Sequence, residues 1–378
     1  MMKFIVSSQL LFKNLQNISG IIVTNKSVPI VENILFTMEG MDLLLTATDL
    51  ETTMTARVAL SQAEGSGSLA IPAKLVVETL KTLPDVPVVF TISDEGNVEI
   101  VADNARYSLV GFSAEQFPKV PEMNDAKTFS MPVQHLCNAI GKTNFATGTT
   151  DVRPVMGGIF CQIEPERVIF VATDGHRMVK YENKCSDTGL TESMILPKKP
   201  LLQLKNVLQS MEGDVRIDFN ASQVAFTMQS LTMVSKLIEG RYPNYASVIP
   251  KNNTNSMRVD RLTMLQKLRN IAMYSNQATH QVRLSITEKE LTLSAEDHAL
   301  ASKAVVSMPC QYEGEDMNIG FSSKFLQEFL SNLDTPEVLF SLSHATGPGL
   351  LFPVCENPEE ASEDILMLAM PVMLNTDN

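Results

Sequence analysis

The sequence contains no tryptophan, and aromatic residues make up only 6% of its 378 positions. This scarcity disfavours an aromatic cage for a sugar or a methylated lysine. It also disfavours a platform of stacked rings for single-stranded nucleic acid, because such platforms present several aromatic side chains in succession.

Cysteine is also scarce, with five residues that are widely spaced and never form a C-x-x-C pair. An odd number in this arrangement excludes a disulfide framework and a thiolate zinc site. The five histidines show neither H-x-x-x-H nor His/Asp ligand spacing. We therefore expect no metal and no other cofactor. The five cysteines are Cys137, Cys161, Cys185, Cys310 and Cys355, and the five histidines are His135, His176, His280, His298 and His344.

No apolar run approaches the ~18 residues that a membrane helix needs. The apolar start of the chain is interrupted by Ser7, Ser8 and Gln9, so a cytoplasmic location is the default expectation. Apolar residues at 44% and charged residues at 19% are typical of folded globular chains. The length predicts two or three domains.

Positive charge is in deficit, since 30 Lys and Arg face 43 Asp and Glu, which gives a net charge of −13. Taken as a mean, this charge predicts repulsion from nucleic acid. The distribution of the charge along the chain changes that expectation, and it depends on an internal repeat.

Similar landmarks recur at intervals of about 125 residues. A strand-like run ends each time in an aspartate, and a proline or serine with a lysine then marks a helix start. A proline-bearing connector also recurs 125 residues apart, at Pro118 and Pro243. The aspartates are Asp49, Asp174 and Asp297, and the lysines are Lys74, Lys199 and Lys324.

Each third of the chain is predicted to form a helix, strands, a second helix and further strands. This pattern predicts three domains, at 1–126, 127–252 and 253–378. A repeat scaffold without a particular ligand explains such a pattern as well. The helical segments are 8–20, 73–82, 132–144, 197–210, 260–274 and 322–333; the extended segments after the second helices are Val86–Ile92, Val215–Phe219 and Val338–Leu342.

The six helical segments carry eleven basic and three acidic residues, whereas the remainder carries 19 basic and 40 acidic residues. If the helices lie side by side, they form a positive surface that attracts phosphates on an otherwise acidic body. For any single helix, an ordinary solvated face is the favoured explanation of the lysines, and only the asymmetry across all six segments favours a phosphate-binding surface.

Three repeated sheets in a row would leave open edges at both ends of the chain. Head-to-tail closure by a second copy removes these edges and forms a ring. A ring with a positive inner wall could hold duplex DNA without reading its sequence.

Three motifs resemble a known family when taken together. They are Ala172-Thr-Asp-Gly-His-Arg177, Lys236-Leu-Ile-Glu-Gly-Arg-Tyr-Pro-Asn-Tyr245 and Met370-Pro-Val-Met-Leu374. With Ala47–Glu51 and Ser130–Arg153, they make the chain similar to the bacterial DNA sliding clamps, the beta subunits of the replicative DNA polymerase III holoenzyme. The resemblance extends in one register from Met2 to Leu374.

The resemblance implies an α+β fold of three similar clamp-type domains, each with two helices packed on antiparallel sheets. It implies a homodimeric ring that encircles double-stranded DNA, slides without sequence specificity and has no enzymatic activity. It also implies a role as a polymerase processivity factor. The implied partners are the replicative polymerase, the clamp loader, and other polymerases and repair proteins that carry clamp-binding motifs; no membrane partner is expected.

The resemblance further implies three sets of site residues. An apolar groove for short partner motifs maps to Met156, Thr173, Gly175, His176, Arg177, Met178, Pro243, Val248, Met370, Pro371 and Met373. Methionine and proline suit a Leu- or Phe-bearing peptide, whose polar atoms His176 and Arg177 are expected to orient. The DNA contacts are Lys26, Lys74, Lys81, Arg153, Lys198, Lys199, Lys205 and Lys267. The dimer interface is Arg106, Met273 and Tyr274; without the family, Met273 and Tyr274 resemble ordinary helix-core residues.

The sequence departs from the family pattern at three places. Lys26 stands where better known relatives present an arginine that touches DNA. Pro154 and Val155 stand where some relatives have aromatic residues that meet the template strand. Residues Asn375 to Asn378 extend past the usual terminus and can brush the groove.

Two other functions compete with the clamp. One is an acidic repeat scaffold that binds peptides but never DNA. The other is a hydrolase built on Asp174 and His176, although the same aspartate recurs in the other repeats as the start of a tight turn. Gly157-Gly158 and Gly347-Pro-Gly349 are not phosphate loops, because neither opens a helix with Lys and Ser/Thr after it.

Overall fold

The computed structural model describes residues 1–120, 122–149, 153–184, 187–355 and 362–374. The predicted groove-facing extension Asn375–Asn378 and one of the five cysteines, Cys185, lie outside these ranges.

Each of the six predicted helical segments contains one α-helix. They are α1 (Ser8–Ser19), α2 (Ala73–Lys81), α3 (Val133–Thr143), α4 (Lys198–Leu208), α5 (Arg261–Ala272) and α6 (Ser323–Ser331). The Ser7 hydroxyl accepts the Leu10 N–H at the start of α1, and the Asp260 carboxylate accepts the Thr263 N–H at the start of α5. Ser322 stands at the cap of α6, but its side chain makes no capping bond.

The strands of the first third are β1 (Met2–Ser7), β2 (Asn33–Glu39), β3 (Asp42–Thr48), β4 (Thr52–Ala59), β5 (Gln62–Glu64), β6 (Gly67–Pro72), β7 (Pro87–Ile92), β8 (Asn97–Ala102), β9 (Ala105–Val110) and β10 (Phe112–Ser113). Those of the second third are β11 (Lys127–Pro132), β12 (Gly158–Glu164), β13 (Arg167–Thr173), β14 (Arg177–Asn183), β15 (Glu192–Pro197), β16 (Asp214–Phe219), β17 (Gln223–Met228) and β18 (Leu231–Lys236).

The strands of the last third are β19 (Asn255–Asp260), β20 (Gln281–Ile286), β21 (Glu290–Asp297), β22 (Ser302–Pro309), β23 (Gln311–Glu313), β24 (Met317–Ser322), β25 (Glu337–Leu342), β26 (Gly349–Pro353) and β27 (Glu363–Ala369). Each extended segment predicted after a second helix forms a strand, namely β7, β16 and β25. All assigned strand pairs are antiparallel, so the fold is α+β, as predicted.

The described chain packs into two compact units. The first comprises Met1–Leu136 and Lys199–Leu237, and the second comprises Cys137–Lys198 and Ile238–Asn378. The first unit contains a five-stranded sheet in the order β5-β1-β7-β8-β9 and a nine-stranded sheet in the order β10-β6-β2-β3-β4-β18-β17-β16-β11. The second contains a nine-stranded sheet in the order β15-β12-β13-β14-β27-β26-β25-β19-β23 and a four-stranded sheet in the order β22-β21-β20-β24.

Each nine-stranded sheet joins two sequence repeats through one strand pair. In the first unit β4 pairs with β18, and Met54 lies opposite Met233. In the second unit β14 pairs with β27, and Met178 lies opposite Leu368. Backbone hydrogen bonds therefore continue across the boundaries of the repeats, and the second repeat contributes strands to both units.

The core lies between the helices and the inward faces of the sheets. Leu11, Leu15 and Ile18 of α1 follow helical spacing and are fully buried. On the strands the period is two, and Phe4 of β1 stacks on its opposite residue Phe90 of β7 with ring centroids 4.9 Å apart. Among the described residues, no helix combines the length and apolar character needed to cross a membrane.

Candidate partner-binding groove and DNA-contacting residues

The groove is built around the tight turn between β13 and β14. Asp174 Oδ1 accepts the backbone N–H groups of His176 and Arg177 at 2.9 and 3.0 Å. Gly175 has a φ of +91°, which a residue without a Cβ adopts readily. Asp49 accepts two backbone N–H groups in the same way in the first repeat, which confirms that this aspartate is a turn residue.

Arg177 leaves this turn towards the interior and is only 7% exposed. Its Nε donates to Asp174 Oδ2 at 3.0 Å, and one terminal nitrogen donates to the Phe145 carbonyl at 2.8 Å. The other terminal nitrogen forms an ion pair with Glu328 of α6. The guanidinium also lies over the Phe325 ring, 4.5 Å from its centroid. Arg177 thus fixes the turn against α6 and Phe145, and its expected role in orienting a bound peptide stays a prediction.

His176 is exposed and marks one side of the groove. Its carbonyl accepts the Met370 N–H at 2.8 Å, just after β27 ends. Two residues on, the Val372 N–H donates to the Gly320 carbonyl at 2.8 Å. A Cβ on Gly320 would lie 2.5 Å from the Val372 oxygen, so glycine is needed for this close approach. The segment Met370–Leu374 is therefore anchored to the turn through Met370 and to β24 through Val372, with Met370 and Met373 exposed.

The floor of the groove is an apolar cluster that spans the β14–β27 junction. Its buried members come from both repeats and include Val171, Met178, Leu350 and Leu368. The cluster is not sealed, because several apolar side chains packed against it remain half exposed. These are Val155, Phe160, Ile238, Tyr245, Ile249, Phe352 and Leu366. An unsealed apolar floor beside exposed methionines suits an apolar partner segment.

Two tyrosines that follow β18 cover part of this floor, and the sequence-based prediction missed both. Tyr242 stacks on Phe160, with centroids 4.9 Å apart and ring planes at 10°. Burial raises the pKa of Tyr242 well above its ordinary value. The Tyr245 hydroxyl donates to Gln162 Oε1 at 2.9 Å. The repeated proline connector indicated this segment, but only the three-dimensional packing shows which of its side chains turn inward.

A charged cluster borders the same floor, and it too was not predicted. We call Glu164, Arg167, Lys180 and Glu182 the charged end of the groove. Arg167 bridges the two carboxylates at 2.6 and 2.9 Å, and Lys180 Nζ lies 2.7 Å from Glu182 Oε2. Burial acts to raise the pKa of Glu182, but the hydrogen bonds and charges of Lys180 and Arg167 outweigh it and hold that pKa below its usual range.

The predicted groove residues all lie in the second unit. Met156 is buried beneath Gly175, where a Cβ would lie 3.7 Å from the Met156 Cε. Thr173 stabilises the turn by donating its hydroxyl to the Arg177 carbonyl at 2.7 Å. Met178 belongs to the floor, and Pro371 is half exposed in the segment after β27. Pro243 and Val248 are exposed on the segment that carries the two tyrosines.

The alternative hydrolase site finds no support in this geometry. Both carboxylate oxygens of Asp174 are engaged by the turn and by Arg177, and the bond to His176 comes from its backbone N–H. Across the described ranges, no group of His, Cys, Asp and Glu side chains is arranged to hold a metal ion.

Most of the predicted DNA-contacting residues are free of carboxylates. Within the described part of the chain, no ion pair involves Lys26, Lys74, Arg153, Lys198, Lys199, Lys205 or Lys267; Lys81 lies 3.8 Å from Glu78. Two other basic helix residues are committed elsewhere, because Lys142 pairs with Asp334 at 2.8 Å and Arg261 donates to the carbonyls of Thr335 and Leu330. Lys26 is exposed in a loop that the Asn25 side chain closes.

The predicted interface residues lie at exposed positions. Arg106 is on β9, an edge strand of the first unit, and pairs with Glu99 at 3.0 Å. Met273 and Tyr274 follow α5, and Met273 is 70% exposed. Their interpretation as ordinary helix-core residues is therefore wrong, because α5 ends at Ala272 and turns these two side chains to solvent. In the second unit β22 is likewise an edge strand, with Val305 exposed.

Comparisons with known proteins agree along nearly the whole chain. Residues 2–121, 130–244 and 246–371 match the family models for the N-terminal, central and C-terminal domains of the DNA polymerase III beta subunit. The chain is 28% identical over 378 residues to a beta sliding clamp of Pseudomonas putida, covering 99% of this chain and 100% of that protein. It is 30% identical over 345 residues to one of Proteus mirabilis, covering 91% and 94%. A crystal structure of the Pseudomonas aeruginosa DNA polymerase sliding clamp superposes with a TM-score of 0.93 at 28% identity, covering 99% of this chain and 100% of that one.

Proposed function

The chain belongs to the DNA polymerase III beta subunit family of bacterial sliding clamps, and we propose from its geometry which surfaces perform the clamp function. As a member of this family it is a non-catalytic processivity factor for DNA replication. The proposals concern its partner groove, its DNA contacts and its closure into a ring.

We propose that partner proteins dock a short apolar segment in the groove between His176 and Met370. The unsealed apolar floor at the β14–β27 junction carries this proposal. The predicted groove residues line or support it, with Arg177 as a positioning residue rather than a ligand contact. The replicative polymerase, the clamp loader and other polymerases and repair proteins compete for this one groove.

The corresponding junction in the first unit offers a less apolar face. There the face of β3, β4 and β18 carries Thr46, Thr53 and Thr232 at the places that Val171, Met178 and Leu366 occupy in the second unit. Threonine hydroxyls pair with one another across these strands, as between Thr46 and Thr55 at 3.3 Å. A hydroxyl-lined face offers an apolar segment much less transfer free energy.

For DNA, we propose contacts from Lys26, Lys74, Lys81, Arg153, Lys198, Lys199, Lys205 and Lys267. Among the described residues, all of these except Lys81 lack a carboxylate partner and are available to phosphate oxygens, and such contacts carry no sequence information. They hold the duplex weakly enough for sliding, while closure of the ring prevents escape.

The edge strands of the two units indicate how two copies form a closed ring. β4, β14 and β22 start 125 residues apart, at Thr52, Arg177 and Ser302. The first two are paired with β18 and β27, whereas β22 and its counterpart β9 are both sheet edges. We propose that β22 pairs antiparallel with β9 of a second copy, with Val306 opposite Ala105. Two such junctions close a homodimeric ring.

The helices support the same junction. In the second unit, the Arg177 guanidinium lies over both the Phe325 ring of α6 and the Phe145 ring. The residue 250 positions before Phe325 is Leu75 of α2, which is 54% exposed. We propose that Leu75 of one copy meets Met273 and Tyr274 of the other, beside Arg106.

We propose that the three domains comprise residues 1–126, 127–252 and 253–378. We also propose that the protein is located in the cytoplasm.

Co-migration with the replicative polymerase in gel filtration tests the groove. Deletion of residues 370–378 is expected to abolish co-migration and to leave the dimer intact. Deletion of residues 375–378 alone is the matched control and should retain binding. Polymerase binding that survives the longer deletion would contradict the proposed site.

A further inference from the structure

The charged end lies directly beside the open part of the groove floor. In the sheet register, Lys180 of β14 is opposite Val171 on one side and Leu366 on the other. Val171 belongs to the buried floor, and Leu366 is one of the half-exposed apolar residues packed against it. The stem of Lys180 therefore stands among groove residues, with its ammonium at their border.

The charges of this cluster differ in depth. Glu182 is the deepest member at 7% exposed, whereas Lys180 and Glu164 are 25% and 26% exposed and Arg167 is 44% exposed. Both cations therefore lie nearer to solvent than Glu182, with which each of them pairs. The cluster as a whole is neutral, and its most exposed member is a cation.

The cations retain capacity for a further acceptor. A lysine ammonium has three donors, and in the described part of the chain the hydrogen bond from Lys180 goes to Glu182. Arg167 uses Nε and one terminal nitrogen for its two glutamates. The nearby Asp364, which could oppose an acidic ligand, is paired with Lys184 at 3.2 Å.

We propose that Lys180, supported by Arg167, is a specificity-determining residue that selects partner segments with an aspartate or glutamate next to their apolar anchors. This inference rests on the proposed groove and adds a charge preference to it. Glu182 fixes the position of the ammonium, so that a carboxylate meets a cation that is already in place.

A purely structural role is the competing explanation. Gln162 donates to Glu164 at 2.7 Å and accepts from the Tyr245 hydroxyl, so the cluster also braces the segment that covers the floor. Loss of such a brace would weaken the binding of every peptide equally. Loss of a specificity residue would weaken only the binding of acidic peptides.

Fluorescence anisotropy with labelled ten-residue peptides separates the two roles. Each peptide carries Leu and Phe anchors, with Asp placed either before or after them, and each has an Asn-containing twin. The full-length protein is expected to bind at least one Asp peptide about three- to fivefold more tightly than its twin at low salt. This preference should shrink as salt is raised.

Lys180→Gln is expected to abolish the preference while leaving the affinity for the Asn twin unchanged, and Lys180→Arg should retain the preference. Lys289→Gln, which removes an exposed lysine of the second unit outside the groove, is the matched control and should behave as the wild type. Equal binding of each Asp and Asn pair by the wild type would overturn the charge preference alone. Failure of all peptides to bind would overturn the groove as well, and a parallel loss for both twins in Lys180→Gln would assign the cluster a structural role.

Discussion

The backbone N–H of Met370 donates a 2.8 Å hydrogen bond to the carbonyl oxygen of His176. Because Ala369 already pairs with Arg177 in the β14–β27 ladder, this bond extends the ladder one residue further. The turn of the second repeat and the last described segment of the third repeat are thereby held in one register. A backbone hydrogen bond therefore joins the two sides of the proposed groove.

Replacement of Arg177 by methionine should destabilise the second unit strongly. The substitution leaves Asp174 and Glu328 without their shared cation and removes the hydrogen bond to the Phe145 carbonyl. We expect the free energy of unfolding to fall by about 3–5 kcal/mol, measured by urea denaturation. Arg153→Met, which removes an exposed arginine from the same region, should cost less than ~1 kcal/mol. An equal decrease in the free energy of unfolding for both variants would show that the buried ion pairs of Arg177 do not stabilise the second unit.

Placing a charge at Met273 should produce a monomer. Met273→Asp puts a carboxylate into the apolar contact proposed with Leu75 of the second copy, where it has no partner. Sedimentation equilibrium is expected to show at least a tenfold weaker dimer. Met41→Asp changes another exposed methionine, 53% against 70% for Met273, in the turn between β2 and β3, and it should leave the dimer unchanged. An unaltered dimer in Met273→Asp would place the interface elsewhere.

Reversing the charge of α4 should weaken the hold on DNA. The triple variant Lys198→Glu, Lys199→Glu and Lys205→Glu removes three proposed phosphate contacts. The slope of log affinity against log salt should therefore become shallower by about 2–3, as measured on short duplexes. The control is the triple variant Lys119→Glu, Lys236→Glu and Lys289→Glu. It changes three exposed lysines outside the helices and alters the net charge by the same amount. If both triple variants show the same slope, the helices do not form the DNA-facing surface.

The stability of the charged end should depend on pH through Glu182. The pKa of this carboxyl is lowered in the folded protein, so its contribution is fully present above its unfolded value of about 4.5 and is lost as the pH falls through the folded value. The difference in unfolding free energy between wild type and Glu182→Gln should therefore be largest near pH 6–7 and shrink below about pH 4.5. Glu166→Gln, an exposed neighbour, serves as the control. A difference that grows towards acid pH would contradict this assignment.

Local sequence patterns predicted the elements well, whereas long-range packing was not accessible from them. The helical spacing of Leu11, Leu15 and Ile18 and the recurring aspartate of the turn are short-range signals, and both features formed as predicted. The inward turn of Tyr242 and the burial of Arg177 depend on strands and helices more than 70 and 150 residues away. Helical spacing alone would place Met273 in the helix core, because it does not reveal where a helix ends; only the family resemblance assigned Met273 to an interface.

The proposed ring places two copies around duplex DNA. Encirclement is tested by gel filtration of the protein loaded on a nicked circular plasmid, before and after the circle is cut at one site. We predict that the protein co-elutes with the circle and is lost when the DNA is linearised, since a closed ring slides off free ends. Equal retention on circular and linear DNA would contradict encirclement and indicate ordinary surface binding.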